Sequence, residues 1–423
     1  MKPYAVVLGG GGGRGAYQIG VWSVLRKIGI RFNAVIGTSV GALNGALMVK
    51  GNFFEACKLW NEISLNDIVS LPSQFDESNL LSVKNLRTLA SFRDKIIKEK
   101  GLDTEPLRRL INKYAKENVI RKRNIDFGMV TYNIKSFKED ISFLNEIPKG
   151  KLSDYLLASS ALPGFKVIDI DGRPHLDGGL ADNVPVSVAI ERGYNRIIVV
   201  DLSAIGIVRS FSCAGTEIVY IKNSLPLGGI LDFTQQTKIR NRTIGMLDAL
   251  KVFGKIDGIR FFYHYDPLVI KKLDSLLKNK DVLKKAEKIT GFNFKGSEPE
   301  EILRNNLPEK MRYYKYLSVP YLECAAVALG IEPLKIWTMK ELINRIVISF
   351  RQKKSIEHKL DLGFFIEKMK NVKPFDILDT AREILPVYFL LKNHGGTAMK
   401  IATRIFPELL PAKIFLLAIG EDF

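Results

Sequence analysis

Five consecutive glycines, Gly9 to Gly13, cut off an apolar, β-prone run, Tyr4-Ala5-Val6-Val7-Leu8, and lead straight into helical text. In the segment that follows, Tyr17, Val21, Val24 and Leu25 fall at i, i+4, i+7 and i+8, one face of a helix. The plan then repeats. Asn33-Ala34-Val35-Ile36 reads as a short buried strand, Gly37-Thr38-Ser39-Val40-Gly41 as a sharp turn, and Ala42 to Val49 as a helix of small residues. Strands alternating with helices require a mostly parallel sheet covered on both faces, so the expected class is α/β, a three-layer sheet flanked by helices. Phe127 to Tyr132, Val167 to Ile170, Arg196 to Asp201 and Glu217 to Ile221 supply further strands. Leu152 to Ala161 reads as a helix stopped by Pro163-Gly164, and Asp171-Gly172 as a hairpin turn. Past about residue 268 strand-like runs thin out and Lys-rich amphipathic helices take over. The organisation expected is an α/β domain over 1–268 and a mainly helical region over 269–423.

Composition narrows the setting. The 423 residues are 46% hydrophobic and 26% charged, a globular rather than a disordered balance. No apolar run approaches the ~18 residues of a spanning helix. The glycine run falls where a signal peptide would continue its apolar region, so no secretory signal is expected. Three scattered cysteines, Cys57, Cys213 and Cys324, argue against a disulfide framework and for a reducing, cytoplasmic setting. Lys and Arg number 63 against 45 Asp and Glu, a net charge of +18 spread along the chain. Such an excess suits an anionic membrane face, nucleic acid, or simply a solvated basic surface. It is sharpest at the start, where Lys2, Arg14, Arg26, Lys27, Arg31 and Lys50 all precede the first acid, Glu55.

Three segments carry chemistry. Gly37-Thr38-Ser39-Val40-Gly41, set between a strand and a helix, has the form of a nucleophile elbow, in which Gly37 and Gly41 free the backbone for a strained turn that presents Ser39. The loop Gly9 to Gly13, continued by Arg14-Gly15, lets backbone N–H groups converge as an anion-binding nest, suited to an oxyanion. Gly10-x-Gly12-x-x-Gly15 also matches a dinucleotide fingerprint, but that needs an acid about 20 residues on. None occurs before Glu55, and no GxxxxGK[ST] is present in the loop. The third segment, Asp177-Gly178-Gly179, sets an acid beside two glycines at the end of β-like text; on residue type alone it is an ordinary turn. No cluster has metal-ligand spacing.

Taken together and in this order, the glycine loop ending Arg14-Gly15, the Ser39 elbow and Asp177-Gly178-Gly179 resemble the patatin-like phospholipase family. Ala158-Ser159-Ser160-Ala161-Leu162-Pro163-Gly164-Phe165 and Asp182-Asn183-x-Pro185 are similar to the segments that bracket that family's catalytic Asp. The resemblance covers about residues 4–205 and runs weakly on to about 268. It implies that Ser39 is a nucleophile and Asp177 its sole general base, with no histidine and no cofactor. It also implies that the N–H groups of Gly11, Gly12 and Gly13 hold the oxyanion. Arg14 and Gly15 then either support the loop or contact a lipid phosphate. The substrate implied is a phospholipid or other acyl-ester lipid, cleaved at an anionic membrane surface by a peripheral enzyme, and nucleic acid is not expected as a partner. Two alternatives stay open: a lipid acyltransferase of the same fold, and a lipase effector whose C-terminal region receives a partner or signal. His175 shares a strand face with Asp177, either behind the dyad or as a plain turn-region histidine. The apolar clusters in 375–391 and 401–419 read as membrane-docking faces or as buried packing faces.

Overall fold

The structure is a computed structural model, described here for residues 3–70, 101–355, 385–391 and 397–420. The chain divides into two compact units, Met1–Gly254 and Lys255–Phe423.

The first unit is built on an eight-stranded, mostly parallel sheet. Strand β1 (Tyr4–Leu8) pairs in parallel with β2 (Phe32–Thr38) on one side and with β7 (Arg196–Asp201) on the other. Strand β8 (Glu217–Lys222) extends the sheet beyond β7, and β3 (Asp126–Asn133) extends it beyond β2, both in parallel. Strands β4 (Lys138–Phe143), β5 (Ile168–Ile170) and β6 (Arg173–Asp177) complete it with antiparallel pairings, β4 and β6 to β3 and β5 to β6.

All five residues of β1 are buried, as a central strand with both faces covered must be. One face (Ala5, Val7, Ala34, Ile36, Ile197, Val199) shares a core with Val184 and with helix Val186–Glu191. On the other side of the sheet, helix α1 (Ala16–Lys27) returns the chain from the glycine loop, and α2 (Val40–Lys50) follows β2. Helix Gln235–Val252 packs so tightly on α1 that a Cβ on Gly20 would lie 2.0 Å from the Arg242 carbonyl oxygen, and one on Gly245 2.0 Å from that of Tyr17.

The decisive feature for the site is a strand junction. Strand β4 runs along residues 128–133 of β3, so the remaining edge of β3 is shared by β2 and β6. Thr38, the last residue of β2, pairs with Val130, and Asp177, the last residue of β6, pairs with Thr131. The two strands run toward each other and end on neighbouring residues of β3. Ser39 and Asp177, distant in sequence, are thereby delivered to one place by register alone.

The second unit is mainly helical. Helix Leu409–Ile419 supplies Leu409, Ile414 and Phe415 to a core shared with helix Ser318–Ala328. The apolar cluster 409–419 is thus a buried packing face, whereas Ile401 and Ile405 on the preceding helix are exposed. Residues 375–384 lie outside the described residues. The unit also holds a parallel strand pair, Phe262–His264 with Ile336–Thr338, that the helical text of this region does not announce.

Candidate active site

Ser39 stands between β2 and α2 with φ 56° and ψ −129°, one of four non-glycine residues at positive φ among those described. A serine is held there only if the surroundings over-determine it. Its backbone N–H donates to Ser159 Oγ at 3.0 Å, Ser159 Oγ donates to the Val130 carbonyl at 2.7 Å, and the Ser39 carbonyl accepts from Ala42 and Leu43 as the helix begins. The elbow glycines are sterically required. A Cβ on Gly41 would lie 2.1 Å from the Leu8 carbonyl oxygen, and one on Gly37 2.4 Å from Gly41 itself.

Asp177 is buried at the junction. Its Oδ1 accepts the Gly179 N–H at 2.8 Å, while Oδ2 has no hydrogen-bond partner among the described residues. Burial pushes the carboxyl up to about 6; the neighbouring Ser39 hydroxyl and the Gly179 amide pull the other way by favouring the charged form. Chain exit after Asp177 passes hard against β3: a Cβ on Gly178 would lie 2.2 Å from the Val130 carbonyl oxygen.

The glycine loop lies against Ser39 and Asn183. A Cβ on Gly10 would sit 2.4 Å from Asn183 Oδ1 and 3.1 Å from Ser39 Cβ. Gly11 and Gly12 both adopt positive φ, and Gly12 lines the same cavity as Ser39. Gly13 differs: its N–H donates to the Ile230 carbonyl at 2.7 Å, so this amide is already engaged. Arg14 spends its guanidinium on the carbonyls of Gly228 (2.8 Å), Ser203 (2.8 Å) and Leu202 (3.3 Å), which staples the loop to two others. Gly15 lets Val40 and Trp60 approach closely. Behind the loop, Gln18 donates to the Gly9 carbonyl, and Asn44 donates to Gln18 and to the Gly15 carbonyl while accepting from Trp60.

His175 is buried but turned away, its ring nitrogens facing Asp140 (3.0 Å) and the Arg173 carbonyl (2.8 Å). His264 belongs to the second unit, and His358 and His394 lie outside the described residues. Among the described residues no group of three or more His, Cys, Asp or Glu is placed to hold a metal ion.

From Ser39 an apolar cavity opens, with about 750 Å³ of empty space, part of it continuous with solvent. Leu43, Leu47, Ile63, Leu107, Ile111 and Phe233 are among its walls. This cavity is not legible in the sequence, because its walls come from α2, helix Phe53–Glu62, helix Glu105–Tyr114 and the 230–233 loop, none of which carries a motif. Within the 158–165 segment nothing singles out Ser159, whose role depends on a hydrogen bond across the fold.

Residues 6–190 match the sequence model of the patatin-like phospholipase family. This matched segment carries the elbow, the glycine loop and Asp177. Among curated proteins the chain is similar to patatin-like phospholipase domain-containing protein 7 of Rattus norvegicus, 28% identical over 203 residues, 47% of this chain and 14% of that protein. It is equally similar to lysophospholipase NTE1 of Candida albicans, 28% identical over 206 residues, 47% of this chain and 13% of that protein. The alignments therefore span about one seventh of these relatives' length. Among solved structures, VipD from Legionella pneumophila aligns over 100% of this chain and 91% of its own at 13% identity and a TM-score of 0.40.

Proposed function

We propose that the protein is a lipid acyl hydrolase of the phospholipase A or lysophospholipase type, with Ser39 as nucleophile and Asp177 as the only general base. The observation that carries this reading is the strand junction, which sets a positive-φ serine beside a buried, half-satisfied aspartate at the mouth of an apolar cavity. The cavity takes the fatty-acyl chain. Asp177 receives the proton of Ser39 Oγ as that oxygen attacks the ester carbonyl, and the amides of Gly11 and Gly12 stabilise the oxyanion. Asp177 then gives the proton to the departing alcohol and later activates the water that hydrolyses the acyl-enzyme. Gly13 joins the oxyanion donors only if it first releases the Ile230 carbonyl.

The substrate surface is an anionic bilayer. In support, Ile205 is 99% exposed, Ile207 57% and Val208 51%, on the loop after β7 at the same sheet edge as Ser39. The loop is held by Ile207 N–H to the Gly179 carbonyl (3.1 Å) and by Asn183 N–H to the Ile207 carbonyl (2.6 Å). The net charge of +18 fits attraction to anionic lipid. No helix among the described residues is long and apolar enough to cross a membrane. The second unit, on this reading, serves a partner or regulatory role. Ser39→Ala is expected to abolish fatty-acid release from phospholipid vesicles, and full release by that variant refutes the assignment.

A further inference from the structure

Three candidates stand outside the chemistry assigned above: the His175–Asp140 pair, a cationic–aromatic surface at Arg26, Phe53 and Phe54, and the hydroxyl of Ser160. The first is a closed structural pair. The second sits around the C-terminal end of α1, whose N-terminal end receives the glycine loop, and nothing on it indicates an occupant. The third carries an inference.

Ser160 is 6% exposed, its Oγ has no hydrogen-bond partner among the described residues, and it lines the cavity that opens from Ser39. Two other polar groups on that wall are spent: Asn44 is saturated by Gln18, Gly15 and Trp60, and the Trp60 N–H by Asn44. A buried hydroxyl left unpaired beside a reactive centre implies a partner that arrives with the ligand. Its neighbours fix which part of the ligand. Ser159, one residue before, accepts the Ser39 N–H, and Ala161, one residue after, accepts the Asp177 N–H at 2.8 Å. Ser160 therefore belongs to the segment that holds nucleophile and base together, and not to the glycine loop where the oxyanion is received. In the proposed chemistry the oxygen that must face Asp177 is the bridging oxygen of the ester, since Asp177 returns the proton there.

We propose that Ser160 Oγ donates a hydrogen bond to the bridging oxygen of the scissile ester, orienting it toward Asp177 and easing its departure. This rests on the hydrolase reading above and adds a substrate contact to it. No covalent bond to Ser160 forms, and its own proton stays in place.

The test compares an oxygen ester with the thioester of the same acyl chain, because a bridging sulfur is a poor hydrogen-bond acceptor. Ser160→Ala, which removes the donor, is expected to lower kcat/KM on the oxygen ester by about 10- to 100-fold. On the thioester the same variant should stay within about twofold of wild type. Ser160→Cys, which keeps the volume but donates weakly, should show the same discrimination, and it serves should the alanine variant fail to fold. Equal losses on both substrates would make Ser160 a packing residue, and no loss on either would make it a bystander; each overturns the proposal while leaving the Ser39 hydrolase intact. Wild-type protein that cleaves neither substrate refutes the hydrolase reading itself, and this inference with it.

Discussion

Replacing Asp177 by Asn should inactivate the protein and stabilise it. The carboxyl is raised from an ordinary 3.8 to about 6, with burial the dominant cause. A folded-state value above the unfolded one means that folding opposes ionisation. Below about pH 3.8 both states carry the proton and no cost arises. Between there and about 6 the unfolded chain loses the proton while the folded chain keeps it, so stability falls as pH rises. Above about 6 the full penalty is present, about 3 kcal/mol from the size of the rise. Asn carries no charge and keeps an oxygen for the Gly179 N–H. Its amide nitrogen, placed where Oδ2 now lacks a partner, would lose about 1 kcal/mol as an unpaired donor. The net gain is about 2 kcal/mol at pH 8, or roughly 4–8 °C for a unit of this size. Thermal unfolding of wild type and Asp177→Asn at pH 8 and pH 4, beside fatty-acid release at pH 8, measures it. The Asn variant should melt higher at pH 8, and the difference should shrink or reverse at pH 4. A variant destabilised at pH 8, or a difference that ignores pH, would refute the argument that Asp177 is held charged against its surroundings.

On the proposed mechanism the same ionisation sets the rate. Because the base must be unprotonated, kcat/KM should rise with pH to a midpoint near 6 and drop about tenfold per pH unit below it; a limb near 4 would mean that Asp177 is not the titrating base. Ile205→Glu should lower turnover of vesicle lipid about 10- to 100-fold more than turnover of a water-soluble ester, since about 1.5–3 kcal/mol of side-chain burial in the bilayer is lost. Equal effects on the two substrates would remove the 203–208 loop from membrane contact.

Much of the α/β core was legible because its signals are local. A glycine run between an apolar strand and an amphipathic helix needs only neighbouring residues to be read, and β1, α1, β2 and α2 follow that text closely. Arg14 was ambiguous for the opposite reason: whether it binds a phosphate or a carbonyl depends on loops near residues 203 and 228, which sequence does not place beside it. Ser159 and Ser160 stood inside a recognisable segment, yet nothing in two adjacent serines says that one holds the Ser39 amide and the other faces the cavity. The strand pair at Phe262–His264 and Ile336–Thr338 was illegible because three-residue strands leave no periodicity to detect.

The junction of β2 and β6 on β3 explains how an aspartate alone serves as base in the proposed chemistry. A carboxylate in water is too weak a base for a serine hydroxyl, and burial strengthens it only by making its charge costly. That cost is tolerable where the rest of the structure pins the group. Asp177 is the final residue of a strand, its backbone N–H is taken by Ala161, and its Oδ1 is fixed by Gly179. Ser39 is fixed as firmly by Ser159, which itself hangs from Val130, the β3 residue paired with Thr38. Both reacting groups are thus referenced to the same two residues of one central strand, Val130 and Thr131. In the proposed chemistry Oδ2, which has no hydrogen-bond partner among the described residues, is the acceptor that takes the Ser39 proton directly, with no histidine as relay.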